Sequence, residues 1–470
     1  MIFRLAFRSL STRPLRSAVL AVGFGLGIGV MVMLLGVGEV ILEQAHAPAL
    51  QGGGDLVVTG AVGPVDSARY LLSSVLGSDR FRSRTSAVSP SRKATLFLLA
   101  HDQKIAIGVR GGVPSREKAV GDPEVIGQDS WTDTPADAAW TSPTPGDVLR
   151  AMDRFHPVPA SEPSGVVSGF RTSWAEWLYF NGKTADGTLR FYLTFITGAP
   201  DTSGVRPMFV RLQLNRAGRT TNYSAAAAVD GRELLEHAPD LDVAGNRVRL
   251  EGSRYRISLS LNGEGPKGST LLGDLTLDAA PGRSLPPAAI HGARGWVSGY
   301  VVPVLSGTFR GTLHVDGQEV AVDAAGYHDH NWGFWEGVRW QWGQVAGGDI
   351  SIVYGRVFPP ATVADASRIP GFLGVLGPDG PIAFSTDVSI TEDDAGGAPK
   401  GITVQAHGRQ VELTLQLDVA ESVGSRMSLT RGAAGAMNFL QLGGVYRVTG
   451  KAAGRDIDFT ARGSAETFRY

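Results

Sequence analysis

The side chains with the richest chemistry lie in residues 327–335, which read YHDHNWGFW. This stretch holds one Tyr, two His, one Asp, one Asn and two Trp, in a chain of 470 residues that has nine His and nine Trp altogether. Successive side chains of a β-strand point to opposite faces. On a strand, one face would carry Tyr327, Asp329 and Asn331, and the other would carry His328, His330 and Trp332. The two faces could therefore perform different chemistry.

One interpretation is acid–base chemistry at Asp329. A carboxyl group that faces the apolar lumen of a barrel has a raised pKa, because burial disfavours its charged form. It could then be protonated near neutral pH and donate a proton, with Tyr327 as a hydrogen-bonding neighbour. Nearby indoles could stabilise a developing carbocation through their π faces. These indoles are Trp332, Trp335, Trp340 and Trp342.

Two other interpretations stay open. His328 and His330, two positions apart on a strand, could bind a metal ion together with a third ligand such as His314. Alternatively, the stretch is a polar corner of the fold. Asp329 and Asn331 would then satisfy backbone groups where strands bend, while the Trp residues fill the core.

The composition excludes several classes of function. A formal net charge of −1 leaves no basic surplus to neutralise phosphates, which argues against nucleic-acid binding. The absence of Cys excludes disulfides, thiolate metal sites and Cys nucleophiles in this chain. Residues 263–270, GEGPKGST, lack the spacing of a phosphate-binding loop and predict a hairpin loop instead. We expect no cofactor and no metal at the favoured site.

The N-terminal region predicts a membrane span. Residues 17–38 are 22 consecutive uncharged residues, enough to cross a bilayer core of about 30 Å. Four Arg precede this run and two Glu follow it, which places the N-terminus in the cytoplasm. The alternative is a cleaved signal peptide, because residues 45–47 read AHA, a small-x-small pattern. The length of the run favours a retained anchor, and a single span cannot form a transport path by itself.

Residues 1–125 resemble the start of FtsX/MacB-type ABC transporter permeases. The segment FRLAFRSLSTRPLRSAVLAVGFGLGIGVMVML is similar to their Arg-rich leader and first transmembrane helix. The segment SAVSPSRKATLFLLAHDQKIAIGVRGGVP is similar to the beginning of their extracytoplasmic domain. The resemblance implies transporter subunits as partners.

The remainder of the chain predicts β-structure. SWAEWLYFNG and TLRFYLTFITG flank KTADG, a hairpin signal. Residues 189–195 alternate apolar with other side chains, the pattern of a half-buried strand, and VELTLQLDV alternates in the same way. Such a long strand-rich region suits two barrels better than one. Residues 119–170 are rich in Pro, Asp, Thr and Ser, and predict a linker with a short helix near 147–155.

Three motifs in order resemble the AttH-like family, which includes hydroxyneurosporene synthase (carotenoid 1,2-hydratase). They are EWLY at 176–179, with Leu178 in place of a second Trp, GYHDHNWG at 326–333 and WQWG at 340–343. The resemblance covers roughly residues 160–470 and implies paired lipocalin-like (calycin) barrels with a pocket for a long apolar molecule. In the hydratase, an Asp of the second motif is thought to protonate an isoprenoid double bond, which corresponds to Asp329 here. The upstream strand of the hydratase carries His and Trp, whereas residues 298–307 carry neither.

These observations define the expected site and fold. The catalytic residues would be Asp329 and Tyr327. The ligand would contact Glu176, Trp177, Tyr179, His328, His330, Asn331, Trp332, Trp335, Trp340 and Trp342. The fold would be mainly β, with two barrels after one transmembrane helix and a small α+β region. The expected ranges are a leader 1–16, a transmembrane helix 17–42, a permease-like region 43–125, a linker 126–160 and barrels at 161–315 and 316–470.

The expected function is that of an extracytoplasmic (periplasmic) protein, anchored in the inner membrane by a single pass. It would bind a lipid or isoprenoid and act as a hydratase or cyclase through Asp329. The alternative is an accessory subunit of an ABC exporter that handles apolar cargo. The expected partners are an apolar small molecule, the membrane and ABC transporter subunits, and no nucleic acid.

Overall fold

The computed structural model describes residues 12, 14–51, 56–58, 68, 71–72, 83–100, 103–123, 125–141, 144–159, 173–265, 268–378, 380–393, 397–427 and 437–469. The chain divides into two compact units. Unit 1 comprises residues 1–65 and 80–141, and unit 2 comprises residues 66–79 and 142–470.

Unit 1 contains a long apolar helix and a small α+β region. Its elements are α1 (Pro14–Gln51), β1 (Ser91–Ala100), β2 (Gln103–Gly112), α2 (Pro114–Ala119), a 3-10 turn (Pro135–Asp137) and α3 (Ala138–Thr141). The segment Pro14–Met33 of α1 is long and apolar enough for a single membrane span or a signal sequence. Residues 1–11 and 13 of the predicted leader lie outside the described residues. β1 and β2 pair antiparallel, and Arg110 on β2 forms an ion pair with Glu117 on α2.

Unit 2 contains α4 (Pro145–Met152) and an 11-stranded antiparallel sheet, barrel 1. The strands of barrel 1 are β3 (Trp174–Lys183), β4 (Leu189–Gly198), β5 (Val205–Arg216), β6 (Arg219–Asp230), β7 (Leu241–Val243), β8 (Asn246–Glu251), β9 (Arg254–Gly263), β10 (Thr270–Ala279), β11 (Leu285–His291), β12 (Val297–Val315) and β13 (Gln318–Phe334). Helix α5 (Gly231–His237) follows β6, and a 3-10 turn (Ala293–Gly295) precedes β12. Because β9 pairs with both β6 and β10, the ring β3-β4-β5-β6-β9-β10-β12-β13 closes on itself.

A 9-stranded antiparallel sheet, barrel 2, follows in the chain. Its strands are β14 (Arg339–Gly347), β15 (Ile350–Phe358), β16 (Phe372–Gly377), β17 (Gly380–Ser385), β18 (Asp387–Glu392), β19 (Gly401–Gly408), β20 (Val411–Met427), β21 (Met437–Ala452) and β22 (Arg455–Arg469), with a 3-10 turn (Ala366–Arg368) after β15. The spatial order runs from β17 through β16, β15, β14, β22, β21, β20 and β19 to β18. The two ends of this order are consecutive in the chain, so the sheet curls into a barrel. The expected fold class, mainly β with two barrels and an N-terminal apolar helix, is confirmed.

The predicted hairpin around KTADG joins β3 to β4, as expected. Phe191 and Phe195 point into barrel 1 and are buried, but Arg190 and Tyr192 on the opposite face are buried as well. The strand is therefore covered on both faces and is not half-buried as predicted. The reason is that barrel 2 packs against the outer face of β4, where Arg190 pairs with Glu421 of β20.

The two sheets divide later in the chain than the expected boundary at 315/316. β12 and β13 form one long hairpin around Asp316 and Gly317, whose positive φ angles of 51° and 80° suit a tight turn. β13 then pairs with β3, so the YHDHNWGF residues belong to barrel 1. The change of sheet occurs at 335–338, between β13 and β14.

Residues 148–158 of the predicted linker 126–160 contribute to the core of barrel 1. The predicted short helix is present as α4, which begins with a capping box in which Thr144 and Asp147 satisfy each other's backbone groups. Leu149 and Met152 of α4 and the following Phe155 are buried with the apolar residues of barrel 1. A helix that packs against the core of barrel 1 is therefore present despite the polar composition of the segment.

Candidate functional site

The two faces of β13 separate as the alternation predicts. On one face, Asn331 and Tyr327 hydrogen-bond to Asp329, and Trp342 of β14 donates to the Tyr327 hydroxyl at 2.9 Å. Asp329 therefore faces barrel 2, and not the lumen of a barrel as expected. On the other face, His328 stacks on Phe180 inside barrel 1, with ring centroids 4.1 Å apart. The register explains this orientation, because His328 lies directly opposite Phe180 of β3.

The interbarrel cluster consists of Tyr179, Tyr327, Asp329, Asn331 and Glu466. Asp329 accepts hydrogen bonds on both oxygens, from Tyr327 Oη at 2.8 Å and from Asn331 Nδ2 at 2.6 Å. Tyr179 lies opposite Asp329 on β3 and hydrogen-bonds Glu466 of β22. The ring of Tyr179 also meets the ring of Tyr327 edge-on at 6.3 Å. Both barrels thus supply acidic groups to one cluster.

The environment raises the pKa of both carboxyl groups of the cluster. Burial raises the pKa of Asp329 well above its ordinary value, and the negative charge of Glu466 raises it further. Burial also raises the pKa of Glu466, from 4.5 to about 7, although its hydrogen bond with Tyr179 opposes this shift. Asp329 is only 3% exposed, whereas Glu466 is partly accessible. Burial therefore favours the neutral form of both carboxyl groups, and Glu466, with a pKa of about 7, can exchange its proton near neutral pH.

An aromatic wall adjoins the interbarrel cluster. Trp340 and Trp342 of β14 stack with ring centroids 4.9 Å apart, and Tyr300 of β12 meets Trp342 edge-on at 5.2 Å. Trp177 of β3 packs on Trp335 at 4.5 Å. These rings offer π faces that favour a positive charge developing on an apolar molecule. A proton donor beside such a wall is suited to protonating a carbon–carbon double bond.

The raised pKa of Glu466 predicts a pH-dependent stability. Since the folded state holds the Glu466 proton more tightly than the unfolded state, stability falls as pH rises from about 4.5 towards 7. This loss amounts to up to about 3 kcal/mol. Thermal unfolding at about pH 5 and about pH 8 should show a higher melting temperature at the lower pH. The Glu466→Gln variant should reduce this difference and leave the part that comes from the raised pKa of Asp329, and an unchanged difference would contradict the assignment.

The inward face of β13 carries a second set of polar groups, the histidine cluster, formed by Asp153, His156, Glu176, His328 and His330. His328 Nε2 lies 3.1 Å from both oxygens of Asp153, and its Nδ1 lies 2.9 Å from the backbone oxygen of Tyr179. Tyr255 of β9 donates to Asp153 at 2.5 Å. Asp153 follows α4, so this bonding attaches the helix to the barrel.

Glu176 is the centre of the other half of the histidine cluster. His330 Nε2 and His156 Nδ1 lie 3.0 and 2.7 Å from its Oε1, and the backbone N–H of His156 donates to both of its oxygens. Burial alone would raise the pKa of Glu176, but the hydrogen bonds from His156 and His330 outweigh it and hold this pKa below its ordinary value. The guanidinium of Arg206 lies 3.9 Å away and adds positive charge.

The predicted metal site is not assembled. His314 is exposed and lies opposite Glu319 near the far end of the β12–β13 ladder, remote from His328 and His330. Within the described residues, the set that could hold a metal ion is His156, Glu176 and His330, whose ligand atoms lie within 4.8 Å of one another. Both His side chains are already hydrogen-bonded to Glu176, so the geometry is equally that of a buried hydrogen-bonded network.

The structure thus divides the predicted site residues between two locations. Tyr327, Asp329 and Asn331 meet Tyr179 and the indoles between the barrels; these indoles are Trp177, Trp335, Trp340 and Trp342. Glu176, His328, His330 and Trp332 lie on the inward face of barrel 1, where Trp332 stacks on His156 at 4.2 Å.

Sequence reasoning missed Asp153, His156, Tyr300 and Glu466. Tyr300 lies in the segment 298–307, where the resemblance implies His or Trp. An aromatic side chain in that segment could have identified it as a site residue. Asp153 lies in VLRAMDRF, where an acidic residue interrupts an amphipathic helix pattern. No local pattern distinguishes Glu466 from the other acidic residues of the chain.

No protein-family model and no curated protein sequence matches the chain. Several solved structures are similar. A protein described as a putative AttH from Nitrosomonas europaea is 18% identical over 66% of this chain and 97% of its own, with a TM-score of 0.42. CghA is 12% identical over 67% of this chain and 96% of its own, with a TM-score of 0.43. Kievitone hydratase from Nectria haematococca is 14% identical over 68% of this chain and 94% of its own, with a TM-score of 0.40. At these identities the similarity concerns the fold, and an assignment of function depends on the geometry of the site.

Proposed function

We propose that the chain is a membrane-anchored protein that binds a lipid or isoprenoid between its two barrels and protonates it from Asp329. The observation that carries the proposal is the placement of a buried, hydrogen-bonded carboxyl group beside an aromatic wall. The polar-corner interpretation explains the hydrogen bonds of Asp329. It gives no reason for a second carboxyl group, Glu466, at the same place.

The proposed reaction is acid-catalysed addition to a carbon–carbon double bond. The Asp329 carboxyl transfers its proton to one alkene carbon, so the π bond breaks, a C–H bond forms and the other carbon becomes cationic. Trp342 and Tyr300 stabilise this cation through their π faces. In hydration, a water oxygen bonds to the cation and loses a proton to the Glu466 carboxylate. In cyclisation, a second double bond of the same molecule attacks the cation, and a carbon-bound proton is lost to the same base.

Tyr327 and Asn331 act as positioning residues in this scheme. Their hydrogen bonds hold both Asp329 oxygens, so the carboxyl group cannot rotate freely. Trp342 in turn fixes the Tyr327 hydroxyl from barrel 2. The acid is therefore oriented by groups from both barrels.

The proposed location is the extracytoplasmic side of the inner membrane. The Pro14–Met33 segment supports an anchor by its length and composition, and the excess of Arg before it supports a cytoplasmic N-terminus. A long apolar ligand has very low solubility in water. An anchor at the membrane would keep the barrels near the source of such a ligand.

Ligand binding and product analysis on the full-length protein test the proposal. The protein in non-ionic detergent is mixed with geranylgeraniol or lycopene, and quenching of Trp fluorescence reports binding near the aromatic wall. Mass spectrometry of the extracted ligand then separates the outcomes. A product heavier by one water supports a hydratase, an isomer of equal mass supports a cyclase, and unchanged bound ligand supports a binding protein without catalysis. Absence of binding by both probes would contradict the proposal.

A second candidate function is an accessory subunit of an ABC exporter. The observation that favours it is an apolar face on the β1–β2 hairpin of unit 1, where Leu96 pairs with Ile107 and Leu98 with Ile105. All four side chains are at least 41% exposed, and a two-stranded hairpin alone is marginally stable in water. Purification from the native host in mild detergent should then yield a complex that contains a multi-span subunit. This complex should hydrolyse ATP. A chain that purifies alone would contradict this candidate.

A further inference from the structure

One end of the interbarrel cluster carries an excess of positive charge, which we call the cationic rim. It consists of Lys183 on β3, Arg190 on β4 and Arg462 on β22. Lys183 and Arg190 are directly opposite each other on the outer face of barrel 1. Arg462 reaches across from barrel 2 and lies against Gly187, in the turn between β3 and β4. Both barrels therefore contribute cations to the same edge of their interface.

The rim holds more positive charge than its neighbours neutralise. Glu421 pairs with Arg190 at 2.6 Å, whereas no described carboxylate lies within ion-pair distance of Lys183 or Arg462. The Arg190 side chain is only 5% exposed, yet its Nε atom has no hydrogen-bond partner among the described residues. Burial and the neighbouring charge of Arg190 lower the pKa of Lys183 to about 8. A buried cationic group with an unsatisfied donor is costly unless an anion binds there.

Close packing fixes the position of Arg190. Its guanidinium lies directly over Gly443 of β21, where a Cβ atom would come within 2.0 Å of Nη1. Nη1 also donates to the Tyr192 hydroxyl at 3.3 Å. Arg190 is thus preorganised at the interface rather than extended into solvent.

The rim is connected to the acid by a continuous row of aromatic residues. From Arg190 the row passes to Tyr192, whose ring stacks on Tyr179 at 6.4 Å, and from Tyr179 to Tyr327 beside Asp329. Lys183 lies opposite Ala325 on β13, four residues before Asp329. At about 3.3 Å per residue, the rim is therefore about 13 Å from the acid along the strand.

We propose that the cationic rim binds the anionic head group, a phosphate or a carboxylate, of a long-chain amphiphile whose apolar chain extends towards Asp329. This inference rests on the proposed function, because it specifies the chemical class of the ligand for the same site. It predicts that the reacting double bond lies well along the chain from the head group. Neutral chains of equal length would bind without this anchoring.

Matched pairs of ligands test the inference on the full-length protein in non-ionic detergent. Geranylgeranyl phosphate is compared with geranylgeraniol, and palmitate with hexadecanol, so that each pair differs only in its head group. At least one anionic member should bind about tenfold or more tightly than its alcohol, since charge-assisted hydrogen bonds contribute this much. Its advantage should shrink as salt increases. Whichever pair shows the larger preference identifies the head group.

Variants separate the rim from general electrostatic attraction. Lys183→Gln and Arg462→Gln remove the two unpaired cations without disturbing the pair between Arg190 and Glu421, and should abolish the preference. Lys451→Gln removes an exposed cation of barrel 2 that pairs with Asp456, and should leave the preference intact. Equal affinity for both members of each pair, or a preference that survives the rim substitutions, would overturn the inference while the proposed function stands. Failure of all four ligands to bind would overturn the inference, and failure of lycopene as well would overturn the proposed function.

Discussion

Replacing Asp329 with Asn should reduce turnover of an isoprenoid substrate by about 100- to 10,000-fold, the usual contribution of a positioned general acid. Asn has nearly the same shape as Asp and can still accept the hydrogen bond from Asn331, but it has no proton of suitable acidity to transfer. Binding of the ligand should change little, because a protonated Asp329 and an amide are both neutral. The measurement is single-turnover product formation together with ligand affinity from Trp fluorescence.

The control for this prediction lies on the same strand. Asp323 of β13 is exposed, so Asp323→Asn makes the same chemical change away from the cluster and should leave turnover intact. Thermal unfolding distinguishes catalysis from structure. Asp329→Asn should retain the melting temperature of the parent protein, since the neutral form of the buried carboxyl is conserved. An inactive variant that is also strongly destabilised would support the polar-corner interpretation instead.

Replacing Glu176 with Gln should destabilise the protein by about 3–5 kcal/mol, the usual cost of breaking a buried ion pair from one side. Glu176 is fully buried. It accepts hydrogen bonds from His156 and His330 and lies close to the Arg206 guanidinium. A neutral amide leaves the Arg206 guanidinium without its counter-charge, and both imidazoles without their carboxylate partner, in a medium of low polarity. Denaturant unfolding of the full-length protein in detergent measures the loss.

Glu251→Gln is the matched control for this effect. Glu251 belongs to the same barrel and pairs with Arg256, but both side chains are more than half exposed. Surface pairs of this kind contribute about 1 kcal/mol or less. A loss at Glu176 no larger than the loss at Glu251 would show that the histidine cluster does not stabilise the barrel as an ion-paired network.

Much of the fold was predictable because apolar and polar residues alternate locally along the strands. The hairpin of β3 and β4 and the alternating residues of β20 are examples, and both are observed. The packing of one barrel on the other was not predictable in the same way. Arg190 and Tyr192 have the composition of a solvent-facing stripe, and only a partner sheet distant in sequence makes them buried. Local patterns contain no information on that partner.

The candidate site follows the same division. The alternation within residues 327–332 correctly separates Asp329 from the two His residues. The direction of each face could not be predicted, because it depends on which side of β13 closes the ring of barrel 1. Asp153 and Glu466 join the two clusters only through tertiary packing. Asp153 also lies in a segment whose Pro and Thr content conceals its helix.

β13 is a wall shared by two unlike environments, and this places an unusual restriction on sequence change. A slip or insertion of one residue would rotate every side chain to the opposite face. It would place the Asp329 carboxyl among the phenyl rings of barrel 1 and both imidazoles between the barrels. In a strand with one buried face, such a slip disrupts the packing of that face only. In β13 it would disrupt the interbarrel cluster and the histidine cluster together. Substitutions are therefore expected to accumulate along this strand far more readily than insertions or deletions.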